Sequence, residues 1–236
     1  MSKIFGKAAK GGHQDAEHWM GTADLMAGLM MVFLFISISF MRYVMIEQER
    51  IKEVAVAYQD TQVAIYEALM EEFGDELDAW NARINRDSLS FEFQSPEVLF
   101  AVGSIELRAR FQEILQDFFP RYLEVLRDFR ASIDEVRIEG HTSSDWDSVT
   151  DETNAYFMNM MLSQGRTRAV LQYVYSLITA DSPDREWVRT QVAAVGFSSS
   201  RLVLNEQGAE DPEQSRRVTF RVMTNAETQI RTILER

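Results

Sequence analysis

The hydrophobic pattern changes twice along the chain and divides it into three parts. Residues 25–41 form an unbroken run of 17 positions without a charge, most of them apolar. From about residue 44 the apolar positions recur at spacings of three and four, which is typical of an amphipathic helix. Beyond residue 88, short alternating segments and longer helical patterns follow one another. The pattern predicts a long apolar helix, a helical neck and a mixed α+β domain.

The apolar run is long enough to cross a membrane. From Trp19 to Tyr43 it has 25 residues, and a helix of that length measures about 37 Å, whereas the hydrocarbon core of a bilayer is about 30 Å thick. The two aromatic residues lie where an aromatic belt is expected. A buried core helix and a signal peptide are the alternatives, but a signal peptide has a shorter apolar core and a cleavage site of small residues. We predict a transmembrane helix over residues 19–45, after a tail of residues 1–18.

Basic residues do not decide the orientation of this helix. Three lysines precede the uncharged run of residues 25–41, and Arg42, Arg50 and Lys52 follow it, so the positive-inside comparison gives no preference. The long C-terminal part is acidic, and large domains cross membranes largely regardless of charge. We expect the short N-terminal tail to stay in the cytoplasm.

The segment after the membrane helix has the spacing of a helix–helix seam. No proline occurs before Pro96, so one long helix can run from Met20 to about Arg86, and Gly74 is expected to bend it or to end the seam. The simplest partner for the seam is a second copy of the same helix, which predicts a dimer through a neck of residues 46–87. Packing onto the chain's own globular domain is the alternative. The seam positions are Ile51, Val54, Tyr58, Thr61, Ile65 and Ala68.

The C-terminal part is predicted to be a two-layer domain over residues 88–236. Its element order is β-α-β-α-β-β, and a short helix closes the chain. The predicted strands are 88–93, 133–138, 192–197 and 218–223, and the predicted helices are 107–130 and 152–178.

Composition excludes several classes of function. The 236 residues carry a net charge of −13, which argues against nucleic-acid binding because phosphates need a basic face. Cys is absent and there are three scattered His, so no thiolate zinc site, disulfide framework or metal centre is expected. The chain has no nucleophile elbow and no Gly-rich phosphate loop. We therefore expect a protein that is not an enzyme and holds no cofactor.

Asp24 is the one ionisable residue within the predicted transmembrane helix before its C-terminal end. A charged Asp at the centre of a membrane helix costs about 2.5–3.5 kcal/mol, so an acid retained there usually has a function. A carboxyl group at this depth can take up and release a proton. Gly21 and Gly28 share its helical face and would let a partner helix approach closely. The alternative is an interfacial N-cap, since helix N-termini favour Asp.

Four motifs stand out in the C-terminal domain. They are a strand end Gly140-His141-Thr142, a helix with Asn159, Leu162, Ser163, Arg166 and Val170 at regular spacing, the run Ser215-Arg216-Arg217-Val218, and the segment Val98–Leu107. Together they resemble the motifs of the OmpA-like peptidoglycan-binding domain, in which the last segment is an opening strand and turn. The resemblance covers about residues 88–225 and is specific in aggregate rather than in any one motif. It implies a fold and a ligand, the peptidoglycan of the bacterial cell wall.

The resemblance also implies a binding site. In that family, the motif Arg and an Asp after Gly-His-Thr hold the diaminopimelate of the wall peptide. Arg166 matches the Arg, and a guanidinium can donate two hydrogen bonds to one carboxylate. Ser143 stands where the family has Asp, and Asp145 could replace it. Alternatively, Arg166 only holds the strand–helix junction. The implied peptidoglycan-binding residues are Thr142, Asp145, Asn159, Leu162 and Arg166.

The whole chain resembles the B subunits of ion-driven stator motors. Trp19, four residues, then Asp24-Leu25-Met26 matches the flagellar MotB type, and the run from Asp24 to Leu34 is more similar to the ZorB family of the Zorya anti-phage defence systems. In that superfamily two B subunits lie inside a ring of five A subunits in the bacterial inner membrane, and the Asp carries protons. The implied partners are a pentameric MotA- or ZorA-like subunit, a second copy of the chain and periplasmic peptidoglycan. A flagellar stator, or a passive wall tether that conducts no ions, remains the alternative.

Overall fold

The computed structural model describes residues 12–94, 96–146 and 151–225. The chain divides into two compact units, residues 1–53 and 54–236. Helix α1, Gly12–Phe73, provides the described part of the first unit and the beginning of the second. It begins before the predicted start of the membrane helix at Trp19. Most of the predicted tail, and the predicted closing helix, lie outside the described residues.

The first unit presents an apolar helical surface. Asp24–Lys52 is long and apolar enough to cross a membrane, with a mean hydropathy of 2.1. None of the residues in its most apolar stretch is buried. Phe33, Phe35 and Met41 are 60%, 68% and 65% exposed. A continuous apolar surface of this size is unusual in water-soluble proteins. The exposure of these apolar side chains supports the predicted membrane helix.

Gly74 ends α1 earlier than the sequence predicted. Its amide donates to the Met70 carbonyl at 2.9 Å, and a Cβ at this position would lie 2.6 Å from that carbonyl oxygen. A side chain would therefore collide with the last turn. The predicted continuation to about Arg86 is wrong, because the chain instead forms a short helix, α2, Leu77–Trp80, and then the first strand.

The second unit contains one five-stranded sheet in the order β1-β2-β5-β3-β4. Among the described strands, only β3 and β4 pair in parallel, with Ile138 opposite Ala194. The other described pairs are antiparallel, with Phe91 opposite Phe220 and Phe220 opposite Ile138. The strands are β1, Ala82–Asn85, β2, Ser90–Phe93, β3, Ile133–His141, β4, Val192–Gly196, and β5, Arg217–Thr224.

Two helices connect the parallel strands, as a parallel pair requires. The longer begins where the Asp151 side chain accepts the Asn154 amide, and the shorter begins where Ser182 accepts the Asp184 amide. Both are the N-cap contacts that Asp and Ser make in helices. Besides the end of α1 and α2, the described helices of the unit are α3, Pro96–Leu99, α4, Ala109–Arg127, a 3₁₀ turn, Arg130–Ser132, α5, Glu152–Leu177, α6, Pro183–Gln191, and α7, Pro212–Ser215.

Aromatic rings form the centre of the hydrophobic core. Helix α4 directs Phe118 onto β2, and its ring centroid lies 4.6 Å from that of Phe91 and 5.1 Å from that of Phe93. Phe220 of β5 lies 5.1 Å from Phe118 on the same face. Alternate residues of these strands face away from the core, as the period-two pattern requires. The predicted α+β architecture is confirmed.

The sequence missed β1, α6 and the short helices α2, α3 and α7, and it misassigned one segment. Strand β1 has a single large apolar residue, Ile84, and α6 is mostly polar, so neither gives a clear periodicity. Val98–Leu107 was predicted to be an opening strand and turn. The segment instead contains the end of α3 and a turn closed by an isolated bridge between Phe100 and Leu107. Gly103, with φ of 65°, provides the left-handed residue of that turn.

The end of α1 is part of the hydrophobic core of the second unit. Ile65, Leu69 and Phe73 are fully buried in it, and Phe73 packs 5.4 Å from Phe91. Trp80 of α2 joins the same cluster at 5.9 Å from Phe73. The predicted domain boundary at residue 88 therefore falls inside the packed unit. Ile65 cannot belong to a dimer seam while it is buried here.

Arg121 fixes the same helix end from outside the core. Its Nε donates to Glu72 at 2.6 Å and its Nη2 to the Glu72 carbonyl at 2.7 Å, while Glu76 accepts at 3.2 Å. Its guanidinium also lies 4.8 Å from the Phe73 ring centroid, within cation–π range. The same arrangement recurs over Tyr66, Phe100, Tyr175, Trp187 and Phe197, which Arg86, Arg166, Arg185, Arg130 and Arg201 cover.

Candidate functional site

A cavity of about 330 Å³ lies where β3 ends beside the first half of α5. The turn after α3 and the residue before β5 complete its wall. Two guanidinium groups, one carboxylate and several apolar side chains meet there, which suits a small ligand with both charged and apolar parts. The lining residues are Phe100, Val102, Gly103, Thr142, Ser143, Asp145, Trp146, Asn159, Leu162, Arg166 and Arg216.

The structure brings together every residue that the OmpA-like resemblance implied for the wall site. Two of them come from the segment after β3 and three from one face of α5. The sixth functional residue predicted from the sequence, Asp24, belongs to the first unit, where it is exposed at the beginning of the apolar span. The five that line the cavity are Thr142, Asp145, Asn159, Leu162 and Arg166.

Arg166 lines the cavity and also holds one of its walls. Its Nε donates to the Ser104 carbonyl at 2.9 Å and its Nη2 to the Ala101 carbonyl at 3.3 Å. Burial, with the nearby charge of Arg216 second, lowers the pKa of Arg166 to about 10. The guanidinium is therefore still charged at neutral pH. The sequence-based alternative, a structural role for this Arg, describes part of what the side chain does.

Arg216 is the cavity residue that sequence reasoning left out of the site. Its Nε is buried and has no hydrogen-bond partner among the described residues. Buried donors are nearly always paired in folded proteins, so the unpaired Nε makes Arg216 a candidate for ligand contact. The signal was available, because Ser215-Arg216-Arg217 had been matched to the family's motif near the last strand. The Thr142 hydroxyl in the same cavity is also buried without a partner in the described part of the chain.

The segment after β3 carries the one carboxylate of the cavity. Ser143, at the position of the family's Asp, is buried, whereas Asp145 is exposed at the rim. The Asn159 side-chain amide donates to the Asp145 carbonyl at 3.2 Å. Asn159 therefore acts on the backbone of this segment and holds Asp145 beside the cavity. Asp145 is accessible to a ligand in the cavity. That it replaces the family's missing acid stays a prediction.

Two glycines let α5 approach the sheet closely enough to place Arg166. A Cβ on Gly140 would lie 2.8 Å from the Ser163 carbonyl oxygen, and one on Gly196 would lie 2.5 Å from the Gln164 amide nitrogen. Such distances are far below normal contact. The Ser163 hydroxyl fills the remaining space, since it accepts the Ser198 amide at 3.1 Å. The Gly of Gly140-His141-Thr142 thus serves packing rather than ligand contact.

His141 is a structural residue beside the site. It stacks on Phe197 with ring centroids 5.3 Å apart, and its Nε2 lies 3.4 Å from a Glu139 oxygen. Burial lowers the pKa of His141 despite the opposing effect of Glu139. The imidazole is therefore neutral at pH 7 and adds no charge to the cavity. In the described segments, no group of three or more His, Cys, Asp or Glu could hold a metal ion.

In the described part of the chain, one apolar helix is long enough to cross a membrane, and it precedes an α+β domain with a cationic pocket. This combination defines the class of protein. The chain is 56% identical over 235 residues to the Zorya protein ZorB of Escherichia coli (Crooks strain), and the match covers 100% of both chains. The chain belongs to the ZorB family, as the sequence resemblance predicted. No protein-family model matches it.

Solved structures with partial similarity come from other bacteria. The cell wall anchor of the T6SS from Pseudomonas aeruginosa is 23% identical, with a TM-score of 0.46, over 66% of this chain and 96% of that chain. A MotB like protein from Desulfovibrio vulgaris is 20% identical, with a TM-score of 0.47, over 73% and 94%. The family assignment rests on the full-length ZorB match.

Proposed function

We propose that this chain is the B subunit of a proton-driven motor of the bacterial inner membrane that acts in anti-phage defence. The observation that carries the proposal is the full-length, 56% identical match to a Zorya protein. The exposed apolar helix supports a single membrane crossing. In the proposed orientation the N-terminus lies in the cytoplasm and the α+β domain in the periplasm. In this arrangement two copies of the chain occupy the centre of a ring of five ZorA-like subunits.

Asp24 is the proton carrier in this proposal. It stands at the beginning of the Asp24–Lys52 span and is followed by 17 residues without a charge. A carboxylate there binds a proton on one side of its membrane path and releases it on the other, while the A subunits supply the path. A passive tether would gain nothing from an acid placed within the apolar helix. The acid therefore favours the motor over the tether.

The cavity at the end of β3 is the proposed wall-binding site. Two guanidiniums, Arg166 and Arg216, can bind a carboxylate from two directions, and the exposed Asp145 can accept an ammonium group. A ligand with both groups fits, and the diaminopimelate of the wall peptide has them. Binding there would anchor the motor so that the ring turns against a fixed subunit.

The assembly can be tested on the intact complex. Native mass spectrometry of the full chain, purified from bacterial membranes with its partner, should give two copies of this chain with five copies of a polytopic subunit. A monomer, or a complex without that subunit, would contradict the motor. Single Cys probes can locate the dimer contact, since the chain has no Cys.

The burial of each seam residue decides where a Cys probe should crosslink. Ile51 is 38% exposed, whereas Ile65 is fully buried in the second unit. We expect disulfide crosslinking between copies at position 51, or at the seam position 54, and none at position 65. Efficient crosslinking at position 65 would mean that the end of α1 leaves the domain core in the assembled dimer.

Replacing Arg216 is expected to affect wall binding alone, whereas replacing Arg166 is expected to affect both wall binding and stability. Losing a hydrogen bond to a charged group costs about 1.5–3 kcal/mol, and Arg216→Ala should weaken sedimentation with purified sacculi accordingly while the melting temperature stays unchanged. Arg166→Ala should lower both, because the side chain also holds two backbone carbonyls. Asp145→Ala should weaken binding if that acid completes the site.

Arg168 provides the matched control for the two arginines. It lies on α5, two residues after Arg166, and it is exposed and does not line the cavity. Arg168→Ala removes the same charge and should leave both sedimentation and melting unchanged. Equal binding by the Arg216→Ala and Arg168→Ala proteins would remove Arg216 from the site.

A further inference from the structure

The cavity rim is held by a residue that none of the motifs includes. Glu210, in the segment between β4 and β5, accepts the Ser144 amide on its Oε1 at 3.0 Å. Its Oε2 accepts the Ser144 hydroxyl. One carboxylate thus takes both donors of a single residue, the neighbour of Asp145. Among the described residues, this contact and the Asn159 contact to the Asp145 carbonyl hold the rim segment, residues 143–146.

Glu210 is presented by a turn that is ordered by its own hydrogen bonds. The Asn205 amide donates to the Ala209 carbonyl at 2.8 Å, and the Asp211 amide donates to the Val203 carbonyl at 2.8 Å. The Asn205 side chain accepts the Ala209 amide at 3.1 Å, and Gly208 adopts φ of 77°. A short hairpin results, with an isolated bridge between Leu204 and Glu210. Glu210 therefore reaches the rim from a preorganised support.

The base of this hairpin is tied to the cavity wall. The Ser215 hydroxyl, next to Arg216, accepts the Val203 amide at 2.9 Å. The hairpin and the cavity arginine are thus fixed to each other through one buried side chain. A displacement of the hairpin would move the rim segment and the wall together, which makes Glu210 a structural link between the two sides of the opening.

We propose that Glu210 is a positioning residue for ligand binding, since its carboxylate fixes the rim segment so that Asp145 faces the ligand's cationic group. This role rests on the wall-binding function proposed for the cavity. It explains how an acid two residues beyond the family's position can serve the same ligand, because Ser143 is buried and the chain needs a second support to bring Asp145 to the opening. Glu210 acts through Asp145 and does not contact the ligand.

The first measurement needs no ligand. Hydrogen exchange of the Ser144 amide in the full chain should become at least tenfold faster in Glu210→Ala, because the amide loses its acceptor. Glu206→Ala is the matched control, since Glu206 is an exposed acid of the same hairpin, and it should leave the exchange rate unchanged. Equal exchange in the wild type and Glu210→Ala would overturn the proposed contact.

The second measurement uses purified sacculi as the probe. Glu210→Ala should weaken sedimentation roughly tenfold, the effect of one hydrogen bond to a charged group, and Glu206→Ala should not. In an Asp145→Ala background, Glu210→Ala should add less than twofold, because residues that act through one another are not additive. A full additional tenfold loss in that background would overturn the route through Asp145.

Two further tests distinguish a loss of rim positioning from a loss of stability and from a failure of the wall-binding function itself. If Glu210→Ala lowers the melting temperature, Ser144→Ala tests the same contact from the rim side and leaves the hairpin unchanged, and it should reduce binding in the same direction. Ser144→Ala keeps the backbone amide donor, so the outcome that would overturn the proposal is normal binding by Ser144→Pro, which lacks both donors. If the wild-type protein does not sediment with sacculi, the wall-binding function fails, while the exchange measurement still decides whether Glu210 holds the rim.

Discussion

Asp24→Asn should abolish protection against phage, with plaque numbers returning to those of cells that lack the chain. Asn has nearly the shape of Asp but cannot exchange a proton, so the proposed proton path would lose its carrier. The substitution removes a charge from an apolar helix and should not hinder membrane insertion. Plating efficiency measures the loss, and a pH-sensitive dye in vesicles containing the purified complex measures proton flux directly.

Two controls make the Asp24 result specific. Ser37→Asn places the same amide in the middle of the apolar run and should leave protection intact. Asp24→Glu keeps an exchangeable carboxyl and should retain part of the activity. Membrane fractionation must find the Asn variant at the wild-type level and in complex with its partner. Full protection by Asp24→Asn cells would exclude the proton-carrier role and would favour the passive tether.

Phe73→Ala should destabilise the second unit by about 3–5 kcal/mol, as expected for a buried Phe in a packed core. Phe73 is fully buried and its ring contacts those of Trp80, Phe91 and Phe118. Urea denaturation of a fragment that begins at residue 54, followed by tryptophan fluorescence, measures the change. Phe157→Ala is the control, since Phe157 is 60% exposed, and should change stability by less than about 0.5 kcal/mol.

The same packing predicts which fragments fold. A fragment that begins at residue 54 contains the whole compact unit, whereas one that begins at residue 88 lacks Ile65, Leu69, Phe73 and Trp80. The shorter fragment should be insoluble or unfolded by circular dichroism. A cooperative melt of the shorter fragment at the temperature of the longer one would show that the end of α1 is not needed for the core.

Periodicity predicted the elements that have a strong pattern. Helix α4 was expected over 107–130 and forms over Ala109–Arg127, and β3 and β5 lie where strands were expected. The spacing of three and four around Ile65 was equally clear, but it could not tell a dimer seam from a domain contact. Both partners offer an apolar surface to the same stripe, and only the tertiary structure decides between them.

The sequence predicted those site residues that belong to a recognisable family motif. Arg166 and Asn159 were found because the resemblance supplied their spacing, yet Arg166 turned out to hold the Ala101 and Ser104 carbonyls as well. Backbone acceptors leave no trace in the sequence. Glu210 lies 66 positions from Ser144, in a segment without a motif, so no local pattern could have paired them.

The guanidiniums that cover aromatic rings have a practical consequence for chemical labelling. All four lysines of the chain lie at or before Lys52, so every later cation is an Arg. Arg stacks on ring faces and carries no primary amine, whereas the Lys side chain ends in one. Lysine-directed crosslinkers and dyes should therefore modify the N-terminal side of the chain and leave the α+β domain untouched. A mass-spectrometric footprint with an amine-reactive ester could then map contacts near the membrane without perturbing wall binding.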